Sequence, residues 1–357
     1  MSAFVATLDV AAPPLPSTAN VEPPGPREPE PGPRPSIVRG AMRAMLRGIF
    51  GALVVTLPVL QIAALGYMSA ATRRTAQRGR LRGSLPPWIG PSGLFRRLFG
   101  ALLLGAGLFL LLAGSQGRLS APANPGAAGT GAMLALWGGL LLLWSHFKAG
   151  LRALVGGGLV LLPGSALIAI NWEAGFINSF DRVDSYLARG PLLVLAGGAL
   201  VMLAAAYLPM AFAHASVAED AGAFLHFRKV LSLIGRRPLA YAALVGLSLL
   251  LSLPLHLFRA ISLDNFGGAY LASALFFAAL LPLKMLWAST YRKATEAAVP
   301  AALWRRVLAA ILLVVPCFLY FFKLLVFQFI LWHGDPGGHW EWFNHFLYLL
   351  PSPAWTV

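Results

Sequence analysis

The residue whose type and position point most directly to chemistry is Lys323, which we interpret as the one charge deep within a predicted span. It precedes Trp332 by nine residues, which is about 14 Å along a helix at 1.5 Å per residue. A charge at that depth is costly in a membrane, and such residues often bind a substrate anion or take part in gating. The simpler interpretation is that the lysine stem extends to the outer interface. The sequence favours this second interpretation and leaves the first open.

Three of the seven histidines, His333, His339 and His345, form the nearest approach to a metal-binding pattern. Their spacing of six residues places successive rings on different helical faces, unlike the i, i+4 pair of a zinc helix. We therefore expect no metal and no cofactor. His146, His214 and His256 each lie at the end of a predicted span, where an amphipathic ring is common without any function. The sequence also lacks the Gly-x-Ser-x-Gly, His-Glu-x-x-His and kinase signatures, so we expect a protein that is not an enzyme.

The acidic residues indicate a further exclusion. All thirteen fall in predicted tails or loops, and none lies well inside an apolar segment. Proton- and sodium-coupled transporters commonly place a carboxylate within the membrane. An ion-coupled carrier is therefore disfavoured.

The elements that must position these residues are membrane helices. The chain of 357 residues is 58% apolar and only 11% charged, whereas soluble domains carry about 25% charged residues. The apolar residues occur in blocks of the length that a helix needs to cross about 30 Å of hydrocarbon. The prediction is an all-α fold, a polytopic transmembrane helix bundle with about seven full spans and one broken or re-entrant N-terminal segment.

The predicted apolar segments follow one another along residues 47–332, which we interpret as one transmembrane domain. A short link with Lys148 and Arg152 is predicted to separate the third segment from the fourth. The segments are 48–69, 98–114, 131–146, 151–171, 191–214, 238–258, 268–289 and 306–332. Several glycines in these segments are interpreted as sites of close contact between helices. They are Gly100, Gly105, Gly156, Gly157, Gly158, Gly197 and Gly198.

Loop charges predict the orientation of the bundle, because Lys and Arg resist translocation. Loops 70–97, 215–237 and 290–305 are rich in these residues and are predicted to be cytoplasmic. Loops 115–130 and 172–190 are poor in them or carry acids, and are predicted to be outside. The chain would then lie in a bacterial inner membrane, with its N-terminal tail cytoplasmic and its C-terminus outside.

The first apolar segment does not fit a single crossing, because both of its ends are predicted to be cytoplasmic. Pro58 lies in its middle, and proline breaks the helical hydrogen-bond ladder. A re-entrant hairpin buried against protein would satisfy both ends. The alternative is that the charge rule fails once and the tail is translocated.

Three further segments lie at the edges of the predicted bundle. Residues 1–46 are proline-rich and predicted to be a disordered cytoplasmic tail. Residues 333–357 are aromatic-rich and predicted to be an anchor at the outer interface. Residues 221–236 have an amphipathic pattern with Asp220 as N-cap, which predicts a helix lying on the cytoplasmic leaflet and not a further crossing.

Two stretches of the chain carry a family resemblance. The first ends an apolar segment in Gly66–Tyr67 and continues with an arginine turn and a Leu-Pro-x-Trp-like motif. The second runs from Pro209 into a cytoplasmic amphipathic helix and the next span. The residues concerned are Gly66, Tyr67, Arg73, Arg74, Pro86 and Trp88 in the first stretch, and Phe224, Phe227 and Tyr241 in the second.

These stretches resemble a prokaryotic membrane family known as domain of unknown function 4013. The chain departs from the family pattern in lacking acidic residues around the Leu-Pro motif, and in the Ile-Gly-Pro that follows Trp88. The resemblance implies a multi-pass membrane protein and assigns no activity or site residue.

The formal net charge is +15, and the basic residues lie beside apolar segments and not on a soluble domain. We therefore expect the partners to be anionic lipids on the cytoplasmic side and an unidentified membrane protein, and not nucleic acid. The predicted function is a non-enzymatic scaffold or regulatory membrane subunit. The alternative is an uncoupled transporter or a channel component.

Overall fold

The computed structural model describes residues 42, 45–47, 50, 51, 54, 60–79, 81, 84–89, 94–115, 125–172, 189–260 and 266–331. Every regular element within these residues is a helix. The predicted all-α fold is confirmed for this part of the chain.

Each of the long described helices overlaps a predicted apolar segment, and one of them overlaps two. Short polar or basic connections separate several of the helices. They are α1 (Leu60–Arg78), α2 (Leu94–Ser115), α3 (Pro125–Trp172), α4 (Arg189–Ala218), a 3-10 helix (Gly222–Leu225), α5 (Phe227–Arg236), α6 (Pro238–Ala260), α7 (Phe266–Glu296) and α8 (Leu303–Leu331).

Helix α3 corrects one prediction. It runs without interruption for 48 residues through Lys148 and Arg152, where a turn between two spans was predicted. Its length is about 72 Å at 1.5 Å per residue, more than twice the hydrocarbon thickness. The segment around Lys148 contains no proline, and lysine and alanine favour helix. The charges therefore lie along one continuous helix.

The described residues contain two helical segments that are long and apolar enough to cross a membrane. They are residues 129–168 of α3 and residues 195–218 of α4. Helix α5 and residues 238–251 of α6, bent by 105°, pass the same criteria together as one broken span. Two to three such helices are compatible with a membrane location. The predicted seven separate crossings are not confirmed, because the predicted spans 131–146 and 151–171 belong to the one helix α3.

Helix α8 presents a continuous apolar surface. Val307, Ile311, Val315 and Phe318 are all half or more exposed on it. Large contiguous apolar surfaces are rare on soluble monomers, because water penalises them, and a lipid environment does not. This surface suits contact with hydrocarbon.

Helix α3 organises the packing. Helix α2 packs on its first half, α1 on its middle and α4 on its second half. Helix α1 also packs against α4 and α7, and α6 packs against α8. Close contact requires small residues, and a Cβ on Gly164 of α3 or on Gly197 of α4 would lie within 3 Å of the other glycine's carbonyl oxygen.

The predicted amphipathic helix has a different boundary in the structure. Residues 222–225 form a 3-10 helix, and the α-helix begins only at Phe227. Asp220 accepts a hydrogen bond from the Gly222 N–H at 3.0 Å, so its carboxylate satisfies backbone at the turn and does not cap α5. At ten residues, α5 is about 15 Å long and cannot cross a bilayer alone.

Several predictions concern residues outside the described part of the chain. They include the tail 333–357 with its three histidines and the centre of the proposed hairpin at Pro58. Only Met42, Met45 and Leu46 of the tail 1–46 are described. The loops 115–130 and 172–190 are also mostly undescribed, so these predictions stand as made.

Candidate functional site

The first sequence stretch with the family resemblance begins where α1 crosses α3. Gly66 of α1 lies against the backbone at His146, and Gly150 of α3 lies against the backbone at Ile62. A Cβ at either glycine would overlap main-chain atoms of the other helix. The crossing therefore depends on two glycines that are far apart in the sequence.

Beside this crossing, aromatic rings hold residues 84–89 on the bundle. Tyr67 stacks on Trp88 with ring centroids 3.9 Å apart and planes 11° apart. The Trp88 Nε1–H donates to the Arg47 carbonyl at 3.1 Å, and His146 Nε2 lies 3.0 Å from the Pro87 carbonyl oxygen. A stacked pair combined with such polar tethers fixes a loop that has no regular structure of its own.

The fixed loop forms one wall of a cavity of about 360 Å³. The other walls come from α1, from the middle of α3, from the end of α4 and from the 3-10 helix. Four cationic and two acidic side chains face this space, together with a histidine and three serines. The polar lining residues are Ser69, Arg73, Arg74, Ser145, His146, Lys148, Arg152, Ser216, Glu219 and Asp220.

Glu219 engages two of the four cations. Its carboxylate forms an ion pair with Arg73, and its carbonyl oxygen accepts a hydrogen bond from Arg152. Glu219 has a positive φ of 57°, at the point where α4 ends, and this conformation is uncommon for a side chain larger than glycine. The ion pair and the hydrogen bond hold the end of α4 against α1 and α3.

Arg74 and Lys148, the other two cations of the cavity, are not held by Glu219. Neither has a carboxylate partner within the described residues, and Lys148 lies 6.0 Å from the Trp144 ring. Partial burial lowers the pKa of Arg74, and the positive charges of Arg78, Arg73 and Arg47 lower it further. A guanidinium surrounded by like charges favours the approach of an anion.

The second stretch with the resemblance packs along the C-terminal half of α4. The buried Phe224 ring lies against Gly156, and the Tyr207 hydroxyl donates to the Phe224 carbonyl at 2.7 Å. Tyr207 also contacts the Phe227 ring at 5.3 Å between centroids. The Tyr241 hydroxyl donates to the Ala206 carbonyl at 2.5 Å.

The structure thus brings the two stretches together at one end of the bundle. Arg73, Arg74, Pro86 and Phe224 line the cavity itself. Two of the other five residues, Gly66 and Tyr67, lie at the α1–α3 crossing, and Trp88 stacks on Tyr67. The remaining two, Phe227 and Tyr241, contact residues of α4.

Sequence reasoning treated several glycines as helix contacts, with mixed results. A Cβ on Gly100, Gly156 or Gly197 would press on a neighbouring helix or turn, which confirms three of them. A Cβ on Gly105 or Gly158 would meet nothing within 4 Å among the residues that the structure describes, so the interpretation is wrong for these two. Composition does not distinguish a packed glycine from an open one.

The interpretation that Lys323 is the one charge deep in a span is wrong. Lys284 lies within the predicted span 268–289 and is fully buried. Its Nζ has no hydrogen-bond partner within the described residues, and lies 3.9 Å from the centroid of the Phe212 ring and 4.6 Å from that of Trp287. Lys323 belongs to α8, and its side chain is outside the described part.

Two histidines predicted to be ordinary residues at span ends make specific contacts. His146 belongs to the cavity wall, and His214 lies 3.2 Å from the Tyr291 hydroxyl and 3.3 Å from the His226 ring nitrogen. Within the described residues, no three histidine, cysteine or acidic side chains are grouped so as to hold a metal ion.

Comparison of the chain with family models, with curated proteins and with solved structures gave no match. The resemblance to domain of unknown function 4013 is therefore neither supported nor contradicted by these comparisons.

Proposed function

We propose that the chain is a multi-pass protein of the bacterial inner membrane, and that it acts as a non-enzymatic scaffold or regulatory subunit. Its N-terminal tail lies in the cytoplasm and its C-terminus lies outside. Its partners are anionic lipids and a membrane protein, and not nucleic acid. Membership of the family known as domain of unknown function 4013 is part of this proposal, and is supported by the meeting of both resembling stretches at one cavity.

Helix α5 is the observation that carries the proposal. It packs on the bundle through Val230 and Leu233, both of which are buried. Phe227 and Leu231 lie one turn apart on a second face and are exposed. With a bend of 105° from α6, the helix suits a position along the membrane surface, where apolar side chains enter lipid or a partner.

The charges of α5 support the same orientation. Arg228 and Lys229 are exposed on a third face of the helix. Lysine and arginine close to a cytoplasmic leaflet gain about 1 kcal/mol each from its anionic surface. A helix with one packed face, one apolar exposed face and one basic face can link a bundle both to lipid and to another protein.

The test uses the tagged full-length chain, extracted in a mild detergent and compared with two variants. We expect a membrane-protein partner at fixed stoichiometry with the wild-type chain, and its loss from the Phe227→Ser, Leu231→Ser double variant. Val299→Ser is the matched control, because Val299 is an apolar residue that is 74% exposed in the link before α8. Wild-type preparations without any stoichiometric partner would refute the scaffold function.

An uncoupled transporter or channel component is the second function, and Lys284 favours it. A buried cation with no carboxylate partner in the described bundle is the kind of group that can hold a passing anion. Solute flux in proteoliposomes, lost in Lys284→Met and retained in Lys293→Met, would favour this function. Lys293 is a suitable control because it is exposed at the end of the same helix.

A further inference from the structure

The cavity beside the α1–α3 crossing carries more positive charge than its own carboxylates neutralise. Arg73 and Arg152 are held by Glu219, whereas Asp220 is exposed and accepts a backbone hydrogen bond from Gly222. The lining cations exceed the lining carboxylates by four to two. The excess lies with Arg74 and Lys148.

The remaining polar groups of the cavity suit the same kind of ligand. Ser69 and Ser216 are buried and share a hydrogen bond at 2.9 Å, and Ser145 is exposed beside them on α3. Hydroxyls next to cations can donate to the oxygens of an anion from several directions. A phosphate group can use such a set, since it carries up to two charges and three terminal oxygens, whereas a carboxylate has one charge and two oxygens.

We infer that this cavity binds a phosphate group, with Arg74 and Lys148 as its principal cationic ligands. The volume of about 360 Å³ accommodates a phosphate and a small organic group. The apolar part of the lining, which includes Ala70, Pro86 and Ala153, can contact that organic group. Both an anionic phospholipid headgroup and a small soluble phosphate supply this chemistry.

The structural roles of the cations determine which variants are informative. Arg73 ties α1 to the end of α4 through its ion pair with Glu219, so its loss would alter the cavity as well as its charge. Arg74 and Lys148 have no such tie within the described residues, so Arg74→Gln and Lys148→Gln should leave the fold intact. Lys293→Gln removes an equal charge at an exposed position outside the cavity lining and serves as the control.

The soluble source is tested with inorganic phosphate added to the purified full-length chain in detergent at constant ionic strength. We expect a saturable rise in melting temperature for wild type and Lys293→Gln. Arg74→Gln and Lys148→Gln should each weaken the apparent affinity by about tenfold or more, because charge-assisted hydrogen bonds to phosphate are strong. Should Arg74→Gln fail to fold, Lys148→Gln on the exposed side of α3 decides the matter.

The lipid source is tested in nanodiscs that contain either phosphatidylglycerol with phosphatidylcholine or phosphatidylcholine alone. Stabilisation only with phosphatidylglycerol, lost in the Arg74→Gln and Lys148→Gln variants, would identify the ligand as an anionic headgroup. Stabilisation by inorganic phosphate in detergent, with no effect of phosphatidylglycerol in nanodiscs, would identify a soluble ligand.

Two results would overturn the inference: no saturable effect of either probe, or an effect equal in the cavity variants and in Lys293→Gln. The inference does not rest on the scaffold function, because the partner test changes α5 and this test changes only the cavity. Failure of one therefore leaves the other standing.

Discussion

Replacing Gly66 with alanine is predicted to separate α1 from α3 and to lower the stability of the folded bundle. The added Cβ would overlap main-chain atoms at His146, and Gly150→Ala would produce the same overlap at Ile62. Backbone atoms cannot rotate away as a side chain can, so one helix must move. Over-packing of a well-packed interior costs about 1–3 kcal/mol, and we expect the upper end of that range here.

Gly158→Ala provides the matched control, because Gly158 lies in α3 as Gly150 does and a Cβ there meets no described residue within 4 Å. Alanine is favoured over glycine in a helix interior by up to about 1 kcal/mol. The control should therefore gain up to about 1 kcal/mol of stability. Gly66→Ala should lose about 2 kcal/mol, because the over-packing cost of about 3 kcal/mol is reduced by the gain of about 1 kcal/mol from alanine in a helix. The difference of about 3 kcal/mol corresponds to about 6–12 °C in melting temperature, on the scale for domains of 150–250 residues.

Thermal unfolding of the purified full-length chain in detergent, followed by tryptophan fluorescence, measures this difference. Because Gly66 and Gly150 form one crossing, the double variant should cost less than the sum of the single variants. A Gly66→Ala protein as stable as Gly158→Ala would refute the close crossing, and with it the placement of α1 residues in the cavity wall.

Three further predictions concern single positions. Lys284→Met should leave the melting temperature unchanged or raise it, because burying an unpaired charge costs more than the contact with the rings contributes, which is about 0.5–2 kcal/mol. A decrease of several degrees would contradict this and would show that Lys284 is paired with another group. Tyr241→Phe should cost about 0.5–1.5 kcal/mol by removing the hydrogen bond to Ala206, and an unchanged melting temperature would contradict this. Arg78→Cys in a Cys317→Ser background should react with an impermeant thiol reagent only from the cytoplasmic side, and labelling from outside alone would reverse the topology.

The helical character of the long apolar segments was predictable, because an apolar segment of that length satisfies its own backbone hydrogen bonds best as a helix. The preference of Lys and Arg for the cytoplasmic side gave less information about the connections between helices. It assigns Lys148 and Arg152 to a side of the membrane, but it does not determine whether the chain turns there. The continuous α3 shows that a cationic segment without turn-forming residues can remain helical.

Lys284 was detectable in the sequence, since it lies five residues inside the end of the predicted span 268–289. Its isolation from other polar groups was not detectable, because this depends on the Phe212 ring from α4 as well as on Trp287 of its own helix. The depth of a charge follows from local sequence, whereas its surroundings follow from helix packing.

The sequence by itself determined that the chain is helical and strongly apolar, and that its basic residues gather in particular segments, because composition and run length are local properties. It also singled out Arg73, Arg74 and Phe224 as parts of two separate motifs. Only the tertiary structure decided that these residues share one cavity with Lys148 and Glu219. That juxtaposition depends on how closely α1 and α3 approach, which two glycines 84 positions apart permit and no periodicity of either helix encodes.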